Sequence, residues 1–513
     1  MLRPLLLLLT PALATLALSS TASAATYCVH QPGDPCPPAS TDLGGDLQGA
    51  LTAAKDTLDA DTVALGAGTW SGTFSYQGAS PLDLRGSGPA TILTKPAAAF
   101  TTVLYGGSAH VSDLAVLLPA ANGVRAIVAS QGVVDRVTVS GPAAGASIGL
   151  TLIGSAASHV DVDLGSEVGT AAELYGPSTL TDSRLVANTG VYRFAGPGGS
   201  VARVQRVTVD TMGNGLFDGM GALDADDVVI RFRLGATAAL AAANCGTTVT
   251  ADHLTILSTD GTGTALEAEC GSAGVGASLT VTNSIVRGGT QSAYRHAYNG
   301  GTADVHVSST AITAASAVQT GAGTLSFGAD DLAGVDPLFA AAPADLHLAA
   351  GSPALDVGTP SAATLDVEGN PRVSGSASDL GAYERQVAAV PVGGGETPAG
   401  PSLPPVDPGL PQAPGPVGGA PAAPRQQPVV IGSLALRLRA HRVTASFTVN
   451  QPVTVRVGWE RRRGRGWTSS RHLTRRVPAG RTSVRLPARL ARGVYRVRVS
   501  SGWCVVTRTI RVR

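Results

Sequence analysis

The chain has few aromatic residues, few charged residues and almost no lysine. Of its 513 residues, 4% are aromatic and 14% are charged, and only Lys55 and Lys95 are lysines among 37 basic residues. No Cys-x-x-Cys pair is present, and no long apolar run follows the one near the N-terminus. These absences argue against a paired-cysteine zinc site, and we expect no transmembrane segment in the mature chain.

Residues 1–24 have the three parts of a secretory signal peptide. Arg3 supplies a positive charge, an apolar run extends from Leu5 to Leu18, and residues 22–24 read Ala-Ser-Ala, a small-residue cleavage site. A membrane anchor is the alternative, but the run is short for a bilayer and Pro11 interrupts it. We therefore expect a secreted protein, extracellular or associated with the cell surface, without a specific nucleic-acid partner.

Opposite charges are concentrated in two parts of the chain. The whole sequence carries 37 basic and 36 acidic residues, whereas residues 429–513 hold 20 arginines and one acid, Glu460. Subtraction leaves 17 basic and 35 acidic residues in 1–428, so the two formal charges are +19 and −18. This division predicts two separate bodies with different partners.

A short phrase recurs between residues 82 and 325, in which a polar residue precedes alternating apolar positions, as in DRVTVSG and QRVTVDT. Aligned on the first inward apolar residue, the copies fall at positions 114, 137, 160, 185, 207, 228, 254, 285 and 311. Leucine-rich repeats share this period but would show a fixed leucine lattice. Short strands with no helical stretch between them predict instead an all-β, right-handed parallel β-helix over residues 61–335.

Residues 25–60 precede the repeat and are predicted to form a loop and a capping helix. Asp46 is a good N-cap for a short helix that would bury one face of small and apolar residues. An amphipathic helix of this kind would cover the open end of the solenoid. The buried face would contain Leu47, Ala50, Leu51 and Ala54.

Four of the five cysteines fall into two candidate disulfides. Cys28 and Cys36 bracket a proline-rich loop, and Cys245 and Cys270 are 25 residues apart, about one coil of the predicted helix. Strands of adjacent coils lie about 4.8 Å apart, which is within disulfide reach. Five cysteines suit an oxidising compartment, and the state of Cys504 stays open.

Two stretches resemble known families. The predicted helix followed by DTVALGAGTWSG looks like the N-terminal cap and first coil of pectate-lyase-like β-helix proteins. Residues 336–386 resemble the choice-of-anchor Q domain, the terminal module of many secreted bacterial β-helix proteins, and this resemblance implies an exported protein but no reaction. The matching motifs are DPLF at 336–339, HL at 347–348, GSPA at 351–354, Asp356, GNPR at 369–372 and DLGAYE at 379–384.

Charged residues recur just before the inward position in seven copies of the phrase, ending with Asp227 and His253. A column of arginines and aspartates on one sheet could engage an acidic glycan, with Ca²⁺ as the only cofactor that the aspartates suggest. Solvated surface charge is the alternative. The candidate glycan-binding ladder is Arg136, His159, Asp161, Asp163, Arg184, Arg206, Asp210, Asp227 and His253, and Arg184 is expected to pair with Asp161.

Catalysis on the ladder stays an open question. A lyase needs cations and a base, and a hydrolase needs two carboxyl groups. Asp226 and Asp227 match the aspartate pair of polygalacturonases, but no histidine has glycine on both sides and no Arg-x-Lys is present. A polysaccharide lyase or glycoside hydrolase is therefore the alternative function, with no catalytic residue assigned.

The C-terminal part divides into a spacer and an arginine-rich module. Residues 387–428 contain 12 Pro and 8 Gly, which predicts an extended linker. Residues 429–513 alternate apolar and polar residues, which predicts a small immunoglobulin- or fibronectin-III-like β-sandwich. Its candidate polyanion-binding residues are Arg461, Arg462, Arg463, Arg465, Arg471, Arg475 and Arg476.

The sequence thus predicts an exported, monomeric β-helix protein that functions in glycan binding or adhesion. Its expected partner is a polysaccharide or an anionic polymer of the cell envelope.

Overall fold

The computed structural model describes two compact units, which lie within residues 1–389 and 390–513. The described residues are 24–57, 59–141, 145–194, 199–233, 238–312, 317–386, 431–439, 442–449, 452–463, 466–467, 471–486, 490–501 and 504–512. The predicted signal peptide, except Ala24, and the predicted linker at 387–428 lie outside the described residues.

The first unit is built almost entirely from short strands. In chain order its elements are β1 (Thr26–Val29), β2 (Thr41–Asp42), α1 (Leu47–Lys55), β3 (Asp61–Leu65), β4 (Gly68–Ser71), β5 (Phe74–Ser75), β6 (Leu82–Gly86), β7 (Thr91–Thr94), β8 (Thr102–Gly107), β9 (Ala109–Leu117), β10 (Arg125–Ser130), β11 (Val133–Ser140), β12 (Ile148–Ile153), β13 (Ala156–Ser158), β14 (Asp161–Asp163), β15 (Thr170–Tyr175), β16 (Thr179–Ala187), β17 (Thr189–Phe194), β18 (Val201–Thr211), β19 (Leu216–Asp218), β20 (Ala222–Phe232), β21 (Leu240–Ala242), β22 (Thr248–Asp252), β23 (Thr255–Ser258), β24 (Thr264–Cys270), β25 (Gly276–Thr282), β26 (Ile285–Arg287), β27 (Gln291–Ala297), β28 (Thr302–Ser308), β29 (Ala311–Ile312), β30 (Val318–Thr320), β31 (Leu325–Phe327), β32 (Leu332–Ala333), β33 (Phe339–Ala341) and β34 (Asp345–Leu348).

Two parallel sheets run the length of this unit. Sheet 2 contains the 11 strands β5, β8, β10, β12, β15, β17, β19, β21, β24, β27 and β30, and the other strands from β1 to β32 form the 21-stranded sheet 1. The chain alternates between the sheets and pairs in parallel with the coil before it. The unit is therefore a parallel β-solenoid of about 11 turns, as the sequence predicts. Its interior is a continuous core of buried Val, Leu, Ile and Ala side chains.

A residue with left-handed backbone conformation bends sheet 1 in nine successive coils, with φ between 47° and 56°. Its neighbours pair with the adjacent coil on both sides of the bend, as Asp135 pairs with Ser112 and Val137 with Leu114. The bend residue therefore points away from the core and the next residue points into it. We call these nine residues the bend column: Asp113, Arg136, His159, Asp182, Arg206, Asp227, His253, Asn283 and Ser309.

At three bends the first inward residue comes before the predicted one and is Ser183, Ser284 or Thr310. Leu185 points into the core as predicted, whereas Ile285 and Ala311 pack outward against residues 336–386. The true inward residues are polar, and a pattern of apolar residues misses them. Ser183 is accommodated because its Oγ accepts a hydrogen bond from the Val160 backbone N–H at 3.1 Å. As a result, Asp182 occupies the column position that the sequence assigns to Arg184.

The predicted capping helix is confirmed as α1. The Asp46 side chain accepts a hydrogen bond from the Gly49 backbone N–H at 2.7 Å, which satisfies one of the free donors of the first turn. The buried face is the predicted one, with Leu47, Ala50, Leu51 and Ala54 packed against the first coils.

Residues 336–386 fold back onto the outer surface of sheet 1 and belong to the same compact unit as the solenoid. Leu346 and Tyr383 of this segment pack with Val229 and Leu257 of the solenoid. A second apolar contact joins the segment to the following coils through Leu348, Ala354, Leu380, Ile285 and Ala311. The segment therefore covers part of the surface on which the ladder was predicted.

The second unit consists of two antiparallel sheets. Its strands are β35 (Ile431–Arg439), β36 (Arg442–Val449), β37 (Val453–Arg463), β38 (Gly466–Trp467), β39 (Arg471–Val477), β40 (Gly480–Arg485), β41 (Gly493–Ser501) and β42 (Cys504–Val512). Strands β35, β36 and β40 form one sheet and the other five form the second. Phe447, Trp459 and Tyr495 are buried in their common core, whereas the specific immunoglobulin or fibronectin topology stays a prediction.

Candidate functional site

The cations of the predicted ladder are paired with carboxylates of the same or the neighbouring coil. Arg136 Nε lies 2.7 Å from Asp113 Oδ1, and Arg206 Nε lies 2.6 Å from Asp182 Oδ1. Each of these guanidinium groups donates a second hydrogen bond to the other oxygen of the same carboxylate. Hydrogen bonding to Arg206 lowers the pKa of Asp182, and bonding to Arg136 lowers that of Asp113.

Pairing extends to the strand that follows the bend. Arg184 Nη1 lies 2.7 Å from Asp161 Oδ1 in the preceding coil, the pairing expected from the sequence. Asp210 Oδ1 lies 3.7 Å from Arg231 Nη1. Together with His159 and the half-buried Asp163, these residues form an outer surface whose charges already have partners within the molecule.

Two predicted ladder residues are not on the surface at all. Asp227 and His253 are fully buried beneath residues 336–386, so the expectation that they face solvent is wrong. The Arg372 guanidinium contacts Asp227, and His253 Nε2 lies 3.4 Å from Ser378 Oγ. A pattern read from the repeats alone could not reveal this burial, because the covering residues lie more than 100 positions further along the chain.

The outer face of sheet 2 carries a strip of aromatic rings, although the chain as a whole has few. Tyr175 stacks on Phe194 of the next coil with 4.7 Å between ring centroids and 3° between planes. Tyr192 lies 4.2 Å from Phe194 and 4.9 Å from Phe217 one coil further on. All four side chains are only partly exposed. We call Tyr175, Tyr192, Phe194 and Phe217 the aromatic strip.

A second aromatic group lies on the same face. Tyr294, His296 and Tyr298 contact one another, with 5.7 Å and 4.8 Å between successive ring centroids. In the column that contains Phe217 and Tyr294, the intervening positions hold Ala241 and Glu267. At about 4.8 Å per coil, this interval separates Phe217 and Tyr294 by roughly 14 Å.

Two carboxyl groups lie in that interval. Glu267 and Glu269 are on β24, two residues apart and therefore on the same face. Burial, with a smaller contribution from the charge of Glu269, raises the pKa of Glu267 to about 7. Glu269 is partly exposed and lies 3.7 Å from His296 Nδ1. The carboxyl group of Glu267 can thus keep its proton near neutral pH.

A third carboxylate is at the far end of the aromatic strip. Glu173 is buried, accepts a hydrogen bond from Thr151 Oγ1 at 3.1 Å and lies 3.6 Å from Arg125 Nη2. Sheet 2 therefore combines partly exposed aromatic rings with hydrogen-bond acceptors, which are two kinds of group that contact sugars.

The sequence analysis missed this face because the sheet 2 strands have no common sequence pattern. The signal that could have found it is the spacing of two between aromatic, acidic or histidine residues in AAELYG, GVYRFA and SAYRHAY, together with the single Phe of GLFDG. Coil lengths vary between these stretches, so their common register becomes visible only after the strands are paired.

Both predicted disulfides, Cys28–Cys36 and Cys245–Cys270, are formed in the structure. The second joins two neighbouring coils at the end of β24, near Tyr298.

The predicted polyanion-binding arginines are only partly described. Arg462, Arg475 and Arg476 are exposed, and Arg461 Nη2 donates a hydrogen bond to the Arg492 carbonyl oxygen at 2.5 Å. Arg465 lies outside the described residues, as do the side chains of Arg463 and Arg471.

The fold and this face define a parallel β-helix protein with an aromatic and acidic outer surface. No family model and no curated protein matches the chain. Solved structures similar to it include pectate lyase Pel9A, with 15% identity over 71% of this chain and 98% of that one and a TM-score of 0.38. Another is the A-module of mannuronan C-5 epimerase AlgE6 from Azotobacter vinelandii, with 11% identity, coverage of 56% and 93%, and a TM-score of 0.33.

A third is the pectin methylesterase from Aspergillus niger, with 11% identity, coverage of 61% and 88%, and a TM-score of 0.20. Similarity this low carries no argument about activity, and the fold assignment rests on the strand pairing itself.

Within the described part of the chain, no helix has the length and apolar character needed to cross a membrane.

Proposed function

We propose that the protein binds a polysaccharide along the outer face of sheet 2. The observation that carries this proposal is the aromatic strip, whose stacked and partly exposed rings span three successive coils. A surface that repeats every coil suits a polymer that repeats every sugar, because each coil can offer a ring to the next unit.

The charges on this face favour a neutral glycan over an acidic one. Glu173, Glu267 and Glu269 are acidic, and of the three only Glu173 has an ion pair with an arginine, Arg125, among the described residues. A uronate chain would find few cationic partners among these carboxyl groups, whereas the hydroxyl groups of a neutral chain would donate hydrogen bonds to their oxygens.

The proposal includes export and surface association. The sequence supports export through residues 1–24, and the resemblance of residues 336–386 to the choice-of-anchor Q domain supports a position at the cell surface. The arginine-rich unit, with a formal charge of +19 in residues 429–513, would attach the protein to an anionic envelope polymer.

Glycoside hydrolysis is a second candidate, favoured by Glu267 and Glu269. Residues two apart on one strand have Cα atoms about 6.7 Å apart, which suits the carboxyl separations that glycosidases use. Glu267, protonated near neutral pH, would act as the acid and Glu269 as the base or nucleophile. Reducing ends that accumulate with the natural protein but not with Glu267→Gln would establish this activity.

The binding proposal is tested by retention on immobilised glycans. The protein is passed over neutral polymers such as cellulose, xylan and β-glucan and over polyuronides, and the variant Tyr192→Ala/Phe217→Ala is passed over the same panel. We expect retention on at least one neutral polymer and a loss of roughly 10-fold or more in affinity for the double variant, because two partly exposed rings are removed.

A matched control is Phe327→Ala, which removes an exposed ring from sheet 1. Its retention should equal that of the natural protein. Equal retention of the double variant, or retention on polyuronides alone, would contradict the proposal.

A further inference from the structure

Beneath residues 336–386, three potential metal ligands converge at the bends of two adjacent coils. Asp226 and Asp227 lie at the bend within β20, and His253 lies at the next bend, between β22 and β23. One ligand atom from each of the three residues lies within 4.8 Å of the other two. This site is on sheet 1 and is independent of the glycan-binding face.

Each of the three residues has a buried atom without a hydrogen-bond partner among the described residues. These atoms are Asp226 Oδ1, Asp227 Oδ2 and His253 Nδ1. Asp227 and His253 have no exposed surface. A buried polar atom without a partner is costly, so three such atoms on three clustered residues indicate a missing partner.

The other atoms of these side chains are already engaged. Asp227 Oδ1 accepts a hydrogen bond from Arg372, and Asp226 Oδ2 lies 3.5 Å from Gln205 Nε2. His253 Nε2 lies 3.4 Å from Ser378 Oγ. These contacts hold the three side chains in place, as the outer contacts of metal ligands do, and leave one buried atom of each without a hydrogen-bond partner.

The groups around this site are mainly carboxyl groups, which favours binding of a cation. Asp252 adds a third carboxylate, with Oδ2 at 3.2 Å from His253 Nδ1 but outside hydrogen-bonding geometry. Arg372 is the one guanidinium that contacts these aspartates among the described residues. Arg372 Nη1 also lies 4.0 Å from Glu384 Oε2, so this one guanidinium is shared and carboxyl groups outnumber it, which suits a divalent cation.

We propose that Asp226, Asp227 and His253 bind a divalent transition-metal ion, Zn²⁺ by preference, which fixes residues 336–386 to the solenoid. Two carboxylate oxygens and one imidazole nitrogen are a ligand set typical of Zn²⁺. Ca²⁺ prefers six to eight oxygen ligands and does not use imidazole, so it fits this site poorly. Arg372 and Ser378 of the covering segment contact two of the ligand residues. The ion therefore links the two coils to residues 336–386.

The test measures bound metal in the untagged full-length protein. After treatment with a chelator, the protein is incubated with Zn²⁺, Mn²⁺ or Ca²⁺, desalted and analysed by plasma mass spectrometry, and its thermal unfolding is followed. We expect one Zn²⁺ per chain and a higher unfolding midpoint with Zn²⁺ than with chelator. The variant Asp226→Asn should bind Zn²⁺ at least 10-fold more weakly while keeping its circular dichroism spectrum, because the change is isosteric.

The matched control is His159→Gln. His159 is an exposed histidine of the bend column, and its imidazole contacts Asp135. This variant should retain one Zn²⁺ per chain. Substitution with Co²⁺ provides a readout that does not depend on variants, because nitrogen and oxygen ligation gives visible absorption bands.

A folded natural protein that holds no ion under these conditions would overturn the proposal and show that protons or water balance the buried charges. Undiminished binding in both Asp226→Asn and Asp227→Asn would overturn it as well, because the ion would then lie elsewhere.

Discussion

The bend column of sheet 1 and the aromatic strip of sheet 2 are both rows of side chains supplied one coil at a time, yet they differ in what is left for a ligand. Arginines of the bend column already donate to carboxylates of neighbouring coils. Rings of the aromatic strip contact one another and still keep a partly exposed surface. A repeated position therefore becomes a candidate site only where its functional groups are not already satisfied within the molecule.

The two rows also differ in how neighbouring coils are held together. Ion pairs join coils along the bend column, whereas the Cys245–Cys270 disulfide joins coils at the end of β24 on the sheet 2 side. Ion pairs at a surface contribute little to stability, and a covalent link contributes more because it restricts the unfolded chain.

The largest effect is expected from breaking the covalent link. Cys245→Ser/Cys270→Ser opens a loop of 25 residues, and the free energy of unfolding should fall by about 3 kcal/mol. Denaturant unfolding under non-reducing conditions measures this change. A loss smaller than that caused by removing one ion pair of the bend column would reverse the contrast between the two sides.

A smaller and pH-dependent effect is expected from Glu267→Gln on the sheet 2 face. The pKa of Glu267 is about 7 in the folded protein against an ordinary value of 4.5, so the folded state holds the proton more tightly than the unfolded state. Stability from this proton is complete below pH 4.5 and is lost as the pH rises through 7. At pH 8 the free energy of unfolding of the variant should therefore exceed that of the natural protein by about 1–2 kcal/mol. This figure is reduced because Glu267 is partly accessible to solvent.

Thermal or denaturant unfolding at pH 4 and pH 8 tests this expectation. At pH 4 the two proteins should differ little, because the carboxyl group is protonated in both states. An equal difference at both pH values would show that packing rather than ionisation separates them.

The smallest effect is expected within the bend column itself. Arg206 and Arg136 have the same backbone conformation, with φ of 52° and 51°, but their side chains are 17% and 52% exposed. Arg206→Gln should reduce the free energy of unfolding by about 1 kcal/mol, because its two hydrogen bonds to Asp182 are partly shielded from water. Arg136→Gln should leave stability nearly unchanged.

The backbone strain is the same at both positions, and Arg136 has an additional contact with Asp135, so a larger loss at Arg206 would be due to its burial. Equal losses would mean that solvent access does not control the strength of these pairs.

The sequence was sufficient for the architecture because the solenoid depends on local, repeated information. A polar residue followed by alternating apolar ones marks sheet 1 in nine coils, and the Asp46 cap marks α1. Register within a repeat was less accessible, since Ser183, Ser284 and Thr310 are inward residues that an apolar pattern passes over.

The candidate site was not accessible because it depends on long-range pairing. Tyr192 and Phe217 become neighbours only through the register of β17 with β19. Likewise, Asp227 and His253 looked exposed until residues 336–386 were placed over them, and nothing near them in the sequence predicts that cover.

The cover formed by residues 336–386 also changes how the solenoid can come apart. Coils that touch only their neighbours can fray from an end one at a time. Here Arg372 reaches back 145 residues to Asp227, while Leu380 reaches Ile285. The coils from β20 to β29 are thereby tied into one cooperative block, so their backbone amides should exchange with solvent together rather than progressively from the C-terminal end.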